Sequence, residues 1–187
     1  MDIVFATAEH LGYCQAISDA IALAAKDKSS GLALRDPGYI AEKILAGNGV
    51  IALDYGTDPD GSPDGAVSGV LPVLAGFCYI QPWEHGLFVA HSALIVLPQF
   101  RGRGLATAIK QKAFELTREK YAQAKVFGLT TSPAVRTINT SLGYREVPYS
   151  EITADINFWK GCCSCVHYGT LCRNGFESCL CTAMLHD

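Results

Sequence analysis

A chain of 187 residues is long enough for one domain with a full core, and 49% hydrophobic against 18% charged residues argues against a disordered protein. The formal net charge is −3 and no long run of Lys or Arg occurs, which argues against nucleic acid or an acidic membrane surface as the main partner. The amino terminus carries no basic and apolar leader, and no apolar run is long enough to span a bilayer. We therefore expect a cytoplasmic protein without a membrane or nucleic-acid partner.

Alternating and helical patterns predict a strand, two helices and a second strand in the first third of the chain. The second helix has the clearest start, because Asp36 can cap it and Pro37 suits its first turn. The predicted elements are a strand at 2–8, helices at 12–26 and 37–47, and a strand at 50–55. Residues 56–65 are rich in Gly, Pro and Asp and predict an exposed turn.

The middle of the chain predicts a long hairpin with both faces buried, since 67–83 and 86–98 are apolar almost throughout and meet at a short turn. After it we predict a helix at about 102–120, a strand at 125–131, a helix at 133–142 and a strand at 143–147. This order of a three-strand meander followed by β–α–β–α–β crossings predicts a mixed α/β protein. We place the domain at residues 1–158 and treat the cysteine-rich residues 159–187 as an extension packed on it.

The stretch LIVLPQFRGRGLATAIK at residues 94–110 joins a strand to a helix through two glycines and two arginines. The first N–H groups of a helix have no partners within it, and the helix dipole adds partial positive charge there. Glycines let such a backbone approach an anion closely and arginine adds charged donors, so we expect a pyrophosphate site in a first turn at 101–106. The stretch lacks the GxxxxGK[ST] pattern of a P-loop, and Thr107 breaks the GxGxxG pattern of a dinucleotide-binding fold.

Residues 99–104, QFRGRG, match the pattern Q/R-x-x-G-x-G/A and resemble the coenzyme A pyrophosphate loop of the GNAT superfamily of N-acyltransferases. The strand LIVLP before the loop and the string NTSLGY at 139–144 resemble two further motifs of that family, and the element order is similar over about residues 1–150. The resemblance implies a central, mostly antiparallel twisted sheet flanked by helices. It also implies acetyl transfer from acetyl-CoA to a primary amine by direct attack in a ternary complex.

The resemblance further assigns roles along the cofactor. The strand edge at Leu94, Ile95 and Val96 would hold the pantetheine arm, and one of those N–H groups would polarise the thioester carbonyl. The family's next strand, here 125–131, would splay away to leave a slot for that arm. The loop residues that would bind the diphosphate are Arg101, Gly102, Arg103, Gly104, Leu105 and Ala106.

The family's usual acid and base are both missing from the sequence. Asn139 stands where many members have a tyrosine that protonates the leaving thiolate, and its amide can only hydrogen-bond the sulfur or the pantetheine. Ser92 stands where many relatives have a glutamate. The predicted catalytic residues are His91, Glu84 and Tyr144, with His85 as a further candidate base and Asn139 as a cofactor contact. The alternative is that the histidine in the strand is a hydrogen-bonded core residue and the turn residues are merely solvated.

Six of the eight cysteines lie in the last 26 residues. Because nothing points to an oxidising compartment, free thiols or a metal site are favoured over disulfides. Thiolates bind zinc well, and the set easiest to bring together for a structural zinc is Cys162, Cys165, Cys172 and Cys179. The alternatives are thiol chemistry, or cysteines that pack as small apolar residues around a terminal strand at 178–185, with Cys179 and Cys181 on one face.

The strings PGYIAEKI, AGFCYI and FGLTTS, together with the cysteine-rich tail, resemble a bacterial GNAT subgroup assigned to amino-acid N-acetylation. A small-molecule acceptor of this kind needs cationic partners for its carboxylate. The available cations are Arg35, Lys43, Arg136, Lys160 and Arg173. The alternative function is a non-catalytic acyl-CoA-binding or interaction protein whose tail is organised by a metal. We expect a monomer or a homodimer in either case.

Overall fold

The computed structural model describes residues 1–27, 29–56 and 72–187. The strands in this part of the chain are β1 (Asp2–Phe5), β2 (Gly49–Asp54), β3 (Val73–Trp83), β4 (Phe88–Val96), β5 (Lys125–Thr130), β6 (Arg145–Val147) and β7 (Thr182–His186). These described strands form one sheet in the order β1-β2-β3-β4-β5-β7-β6, in which β4 pairs with β5 in parallel and the other neighbours are antiparallel. This mixed sheet confirms the predicted fold class.

Helices flank the sheet on both sides. They are α1 (Cys14–Ala25), α2 (Pro37–Leu45), α3 (Leu105–Lys120), α4 (Pro133–Ser141), α5 (Ile156–Lys160) and α6 (Tyr168–Arg173). The predicted cap of α2 is confirmed, because the Asp36 carboxylate accepts a hydrogen bond from the Tyr39 N–H at 2.9 Å. In the described ranges, no helix combines the length and the apolar composition that crossing a bilayer requires.

The predicted hairpin is confirmed as β3 and β4, which pair antiparallel and are joined by a short 3₁₀ turn at Glu84–Gly86. Two predictions fall largely outside the described residues. They are the turn at 56–65, of which only Gly56 is described, and the start of the long strand predicted from residue 67.

The two faces of the sheet bury two separate layers of apolar side chains. On one face, α1 and α2 pack through isoleucines such as Ile17 and Ile40 against Ile51 of β2. On the other, α3 packs through residues such as Ile109 against Val50, the preceding residue of β2. Neighbouring strand residues therefore serve opposite layers, which explains why the central strands read as unbroken apolar runs.

The sheet opens between β4 and β5. Their pairing covers only Phe88–Ala90 against Lys125–Phe127, although both strands continue beyond it. At the same place β4 contains one extra residue opposite β3, and Ala93 takes a left-handed φ of 52°. Such a bulge bends the strand and turns its N–H groups away from the regular ladder. The splayed strand that the resemblance implied is therefore present.

The carboxyl-terminal strand β7 lies between β5 and β6, so the tail completes the sheet. The strand predicted at 178–185 begins only at Thr182, and the expectation that Cys179 and Cys181 share a strand face is wrong. The physical reason is local. The Cys181 N–H donates to Cys179 Sγ at 3.3 Å and the Tyr149 hydroxyl donates to the Cys181 carbonyl at 2.8 Å, so this segment turns instead of pairing.

Candidate active site

The end of the loop between β4 and α3 and the first turn of α3 together contain six consecutive N–H groups that donate to no described residue. Gly102 and Gly104 have left-handed φ angles of 73° and 76°, which residues with a Cβ rarely adopt. These turns delay the helix to Leu105, so residues 101–104 precede the helix and do not form its first turn as expected. Among the hydrogen bonds of the described residues, none is donated by the N–H groups of 102–107. Free N–H groups at the start of a 16-residue helix are suited to an anion.

The space beside this loop is open. A Cβ built on Gly102 or Gly104 would meet no atom within 4 Å. Arg103 is exposed next to the free N–H groups, whereas Arg101 turns back and donates from Nε to the Val96 carbonyl at 3.0 Å. The loop thus fits a diphosphate, with Arg103 adding charge and Arg101 fastening the loop to the end of β4.

A cavity of about 1180 Å³, here called the groove, extends from the loop to the opening of the sheet. Its walls come from α1, the end of β4, the loop, the end of β5 and the start of α4. Most of the lining side chains are small or apolar, while the free N–H groups lie at one end. A long flexible arm that carries a diphosphate, as coenzyme A does, fits this combination.

A second cavity of about 460 Å³, here called the acceptor cavity, adjoins the groove. The residues that line both cavities are Gly31, Leu32, Leu94, Leu129, Thr130 and Val135. The wall of the acceptor cavity includes the side chains of Arg35, Lys43, His91 and Lys110. A group carried to the end of the groove would therefore face the acceptor cavity through the gap between β4 and β5.

Of the predicted catalytic residues, His91 lines the acceptor cavity, and both of its ring nitrogens are engaged. Nε2 lies 2.9 Å from the Thr117 hydroxyl, which itself donates to the Ala113 carbonyl at 2.9 Å. Because the Thr117 hydroxyl already donates its hydrogen to Ala113, it must accept a hydrogen bond from His91. The ring therefore carries its hydrogen on Nε2. Nδ1 is then unprotonated, and its lone pair can accept a hydrogen bond.

The environment keeps His91 uncharged. Burial, followed by the positive charges of Lys110 and Arg118, holds the pKa of His91 well below its ordinary value. Tyr144 is buried with its hydroxyl 3.3 Å from Nδ1, and Lys110 Nζ lies 3.2 Å from the same atom, so these two donors share one lone pair. Burial also raises the pKa of Tyr144, so this hydroxyl remains protonated.

The structure does not bring Glu84 to the acceptor cavity. Its carboxylate accepts hydrogen bonds from the Thr153 hydroxyl at 2.6 Å and the Ala154 N–H at 2.8 Å, at the far end of the β3–β4 hairpin. His85 lies in the same turn with a φ of 57° and lines neither cavity. Both residues therefore lie in a turn outside the walls of the two cavities.

Three buried polar atoms in the acceptor-cavity wall have no hydrogen-bond partner among the described residues: Gln81 Oε1, Trp83 Nε1 and Asn139 Oδ1. Asn139, expected as a cofactor contact, is 1% exposed and donates from Nδ2 to the Met184 sulfur at 3.5 Å. An unpaired buried polar atom is costly, and a bound ligand can satisfy it. The sequence analysis did not predict a role for Gln81 or Trp83. The available signal was the polar Gln81 near the end of an otherwise apolar strand.

The predicted zinc site is not supported. Within the described ranges, no group of three or more His, Cys, Asp or Glu side chains is arranged to hold a metal ion. Cys172 is exposed, while Cys179 Sγ is 3.0 Å from the Tyr149 hydroxyl. Cys162 lies in the wall of the acceptor cavity. The eight cysteines all lie in the described ranges and carry free thiols there.

A sheet opened between two parallel strands, with unpaired N–H groups beside the opening, can accommodate a long arm that carries a diphosphate. The acetyltransferase (GNAT) family matches residues 53–144, which span β4, the loop, α3 and α4. This match covers just under half of the chain, and over it the chain is similar to acetyl-CoA-dependent N-acetyltransferases. The alternative of a non-catalytic binding protein is not favoured.

Solved structures share the fold. Rv2747 from Mycobacterium tuberculosis, in complex with CoA and NLQ, aligns with a TM-score of 0.63 at 16% identity over 99% of this chain and 98% of that one. The protein yncA from Salmonella typhimurium, with acetyl-CoA, gives 0.61 at 16% identity over 100% and 93%. N-acetylglutamate synthase from Neisseria gonorrhoeae, complexed with coenzyme A and N-acetyl-glutamate, gives 0.63 at 13% identity over 99% of this chain but 34% of that one. A comparison with curated proteins finds no match.

Proposed function

We propose that the protein acetylates the primary amine of an amino acid or a similar small carboxylate, by direct attack on acetyl-CoA while both are bound. The charge of the acceptor cavity carries this proposal. Arg35, Lys43 and Lys110 line it against one carboxylate, Asp36. That carboxylate already caps α2, so the cavity offers net positive charge to an anionic acceptor.

Arg35 supports the proposal best, because its guanidinium is held in place. Its Nε donates to the Tyr79 hydroxyl at 2.9 Å, and Nη1 donates to the carbonyls of Leu34 and Gly161 at 2.8 and 3.2 Å. Within the described part of the chain, no hydrogen bond involves Nη2. A guanidinium fixed on one side with donors free on the other is suited to bind a carboxylate.

Only two of the five cations considered from the sequence line this cavity. They are Arg35 and Lys43, and Lys43 Nζ lies 4.3 Å from the centre of the Tyr39 ring. Arg136 pairs with Glu146 on the surface, and Arg173 donates to the Thr170 hydroxyl at 3.0 Å. Lys160 is exposed and lines neither cavity.

Acetyl-CoA, when bound, supplies the activated thioester, and the free edge of β4 is available to hold it. Beyond Ala90 the described residues leave that edge without a strand partner, while Ile95 and Val96 pair with β3 on the other edge. We propose that the backbone from Leu94 to Val96 binds the pantetheine arm, and that an N–H of the bulged segment polarises the thioester carbonyl. The free N–H groups of the loop would hold the diphosphate.

A thiol-release assay with matched acceptors tests this function. An amino acid, its methyl ester and its decarboxylated amine present the same amine with and without the carboxylate. We expect turnover of the amino acid and at least a tenfold higher KM for the two analogues, since the carboxylate loses its charged partner. Arg35→Gln should raise the KM of the amino acid by a similar factor without changing that of acetyl-CoA.

The matched control is Arg136→Gln, which removes a surface arginine from the same chain. Its kinetic constants should equal those of the wild type. Equal turnover of the three acceptors, or an Arg35→Gln enzyme with unchanged KM, would contradict an anionic acceptor. Failure of every small amine while acetyl-CoA still binds would contradict a small-molecule acceptor altogether.

A further inference from the structure

Lys110 is a buried lysine in the wall of the acceptor cavity, and no role has yet been assigned to it. It lies on the face of α3 that packs on the sheet, and the residue is 3% exposed. Among the ion pairs of the described residues, none involves Lys110. A buried ammonium without an acidic partner is costly to keep, and such groups in a cleft are candidates for proton transfer.

The titratable groups around the Lys110 ammonium come from several elements. From β4, His91 Nδ1 lies 3.2 Å from Nζ, and Tyr144, between α4 and β6, places its ring centre at 4.9 Å. From β3 comes the fully buried Cys78 thiol, and Arg118 follows two turns later on α3. Because Nδ1 of the uncharged His91 carries a lone pair, it accepts a hydrogen bond from Lys110, shared with the Tyr144 hydroxyl, and this contact holds the ammonium in the cavity wall.

Lys110 lies in the wall of the cavity that the acetyl end of the cofactor would face. The sulfur of coenzyme A must reach the junction of the groove and the acceptor cavity, which Leu94 and Leu129 line from the two splayed strands. Lys110 and Asn139 lie in the wall of the adjoining acceptor cavity, on α3 and α4. The Asn139 amide has no transferable proton at neutral pH, so the acid has to come from elsewhere.

The acidity of Lys110 suits this task. Burial lowers its pKa to about 8, against a smaller opposing effect of the Cys78 thiol. A free thiol has a pKa of about 8.5, so the ammonium and the thiol are nearly matched. An acid matched to its leaving group transfers a proton efficiently in both directions.

We propose that Lys110 protonates the sulfur of coenzyme A as the acetyl group leaves it. The amine nitrogen of the acceptor bonds to the acetyl carbon, and the carbon–sulfur bond breaks with its electron pair on sulfur. A proton moves from Lys110 Nζ to that sulfur, the acceptor nitrogen releases its own proton to water, and the neutral Lys110 regains a proton from water. This inference rests on acetyl transfer from acetyl-CoA and is independent of which amine accepts.

The acidity of the thiol in bound coenzyme A tests the contact without any acceptor. Thiolate formation is followed by ultraviolet absorbance across pH in complexes with the wild type, Lys110→Met, Lys110→Gln and Lys110→Arg. A positive charge within about 4–6 Å makes a neighbouring acid at least tenfold stronger, so the wild-type complex should contain a thiol at least tenfold more acidic than the two neutral variants. Lys110→Arg should retain most of this effect.

Lys112→Met is the matched control, because Lys112 lies on the same helix but pairs with Glu115 at the surface. It should leave the thiol acidity and the turnover unchanged. With an accepted amine, Lys110→Met should lower kcat by about 100-fold or more, with little change in the dissociation constant of acetyl-CoA. The activity of the wild type should also fall at high pH as Lys110 deprotonates. The pH–activity profiles of the neutral variants should not show this fall.

Equal thiol acidity in the wild type and both neutral variants would overturn the inference, whatever the turnover. If Lys110 has only a structural role, replacing it should change stability or cofactor affinity without changing the acidity of the bound thiol. If no amine is accepted by the wild type, the proposed acceptor fails, while the titration of bound coenzyme A still decides the role of Lys110. Near-ultraviolet circular dichroism of each variant confirms that the comparison is between folded proteins.

Discussion

Replacing Lys110 with methionine should stabilise the protein at neutral pH, although it damages the active site. The pKa of Lys110 falls from an ordinary 10.5 to about 8 in the folded chain because its burial penalises the charge. The two values differ by about 2.5 units, and each unit corresponds to 1.36 kcal/mol, so the buried ammonium costs up to about 3 kcal/mol. Methionine is similar in size and carries no charge into this site.

The stability gained by Lys110→Met should decrease as the pH rises. Below pH 8 both folded and unfolded chains carry the proton, and the full cost is present. Between about 8 and 10.5 the unfolded chain binds more protons than the folded one, so wild-type stability rises with pH relative to the variant. Above 10.5 both states are neutral and the difference should vanish. His91 keeps a donor in the variant, because the Tyr144 hydroxyl remains 3.3 Å from Nδ1.

Urea unfolding of the wild type and Lys110→Met at several pH values between 7 and 11 measures this difference. We expect Lys110→Met to be more stable by about 1–3 kcal/mol at pH 7 and equal to the wild type near pH 11. Lys112→Met, at the surface, should show a small difference that does not change with pH. A variant less stable than the wild type at pH 7, or a gain that is constant with pH, would refute the argument from burial.

Three further predictions concern the loop, the hairpin turn and the tail. Gly104→Glu should abolish acetyl-CoA binding in calorimetry because it places a carboxylate beside the diphosphate, whereas Gly104→Ala should cost about 1 kcal/mol of stability through its φ of 76° and keep weaker binding. Glu84→Gln should lower the free energy of unfolding by about 1–2 kcal/mol and leave kcat unchanged, because Glu84 bonds Thr153 and Ala154 far from the cavities. Incubation with a metal chelator should leave the melting temperature unchanged, and elemental analysis should find no stoichiometric zinc.

Each of these predictions can fail in a recognisable way. Normal affinity of Gly104→Glu would show that the diphosphate binds elsewhere. A large loss of kcat in a folded Glu84→Gln enzyme would return that residue to the list of catalytic candidates. A chelator that lowers the melting temperature, together with one zinc per chain, would restore the sequence-based metal prediction.

Local signals predicted a large part of the fold. The Asp36–Pro37 pair gave the start of α2, and the apolar runs gave the β3–β4 hairpin, because capping and burial depend on neighbours within one element. The glycines at 102 and 104 indicated the anion loop for the same reason. The predicted start of α3 is too early, because two left-handed glycines on either side of Arg103 postpone the helix to Leu105.

Long-range contacts decided the rest of the site. Glu84 and His91 look equally eligible in sequence, but the pairing of β3 with β4 puts one at the turn and the other at the opening of the sheet. Lys110 was overlooked because a lysine next to an apolar stripe is usually a solvated surface residue. Only the packing of α3 on the sheet shows that it is buried.

The sequence alone determined that a strand, a glycine–arginine loop and a helix follow one another, and that this order matches a coenzyme A-binding family. The tertiary structure decided where the sheet opens, that β7 inserts between β5 and β6, and which cations share a cavity. The physical reason is that turns and caps depend on a few adjacent residues, whereas the charge and acidity of a cavity depend on burial by distant segments. Arg35 and Lys110 are separated by much of the chain and meet in one cavity only because the sheet brings their helices and loops together.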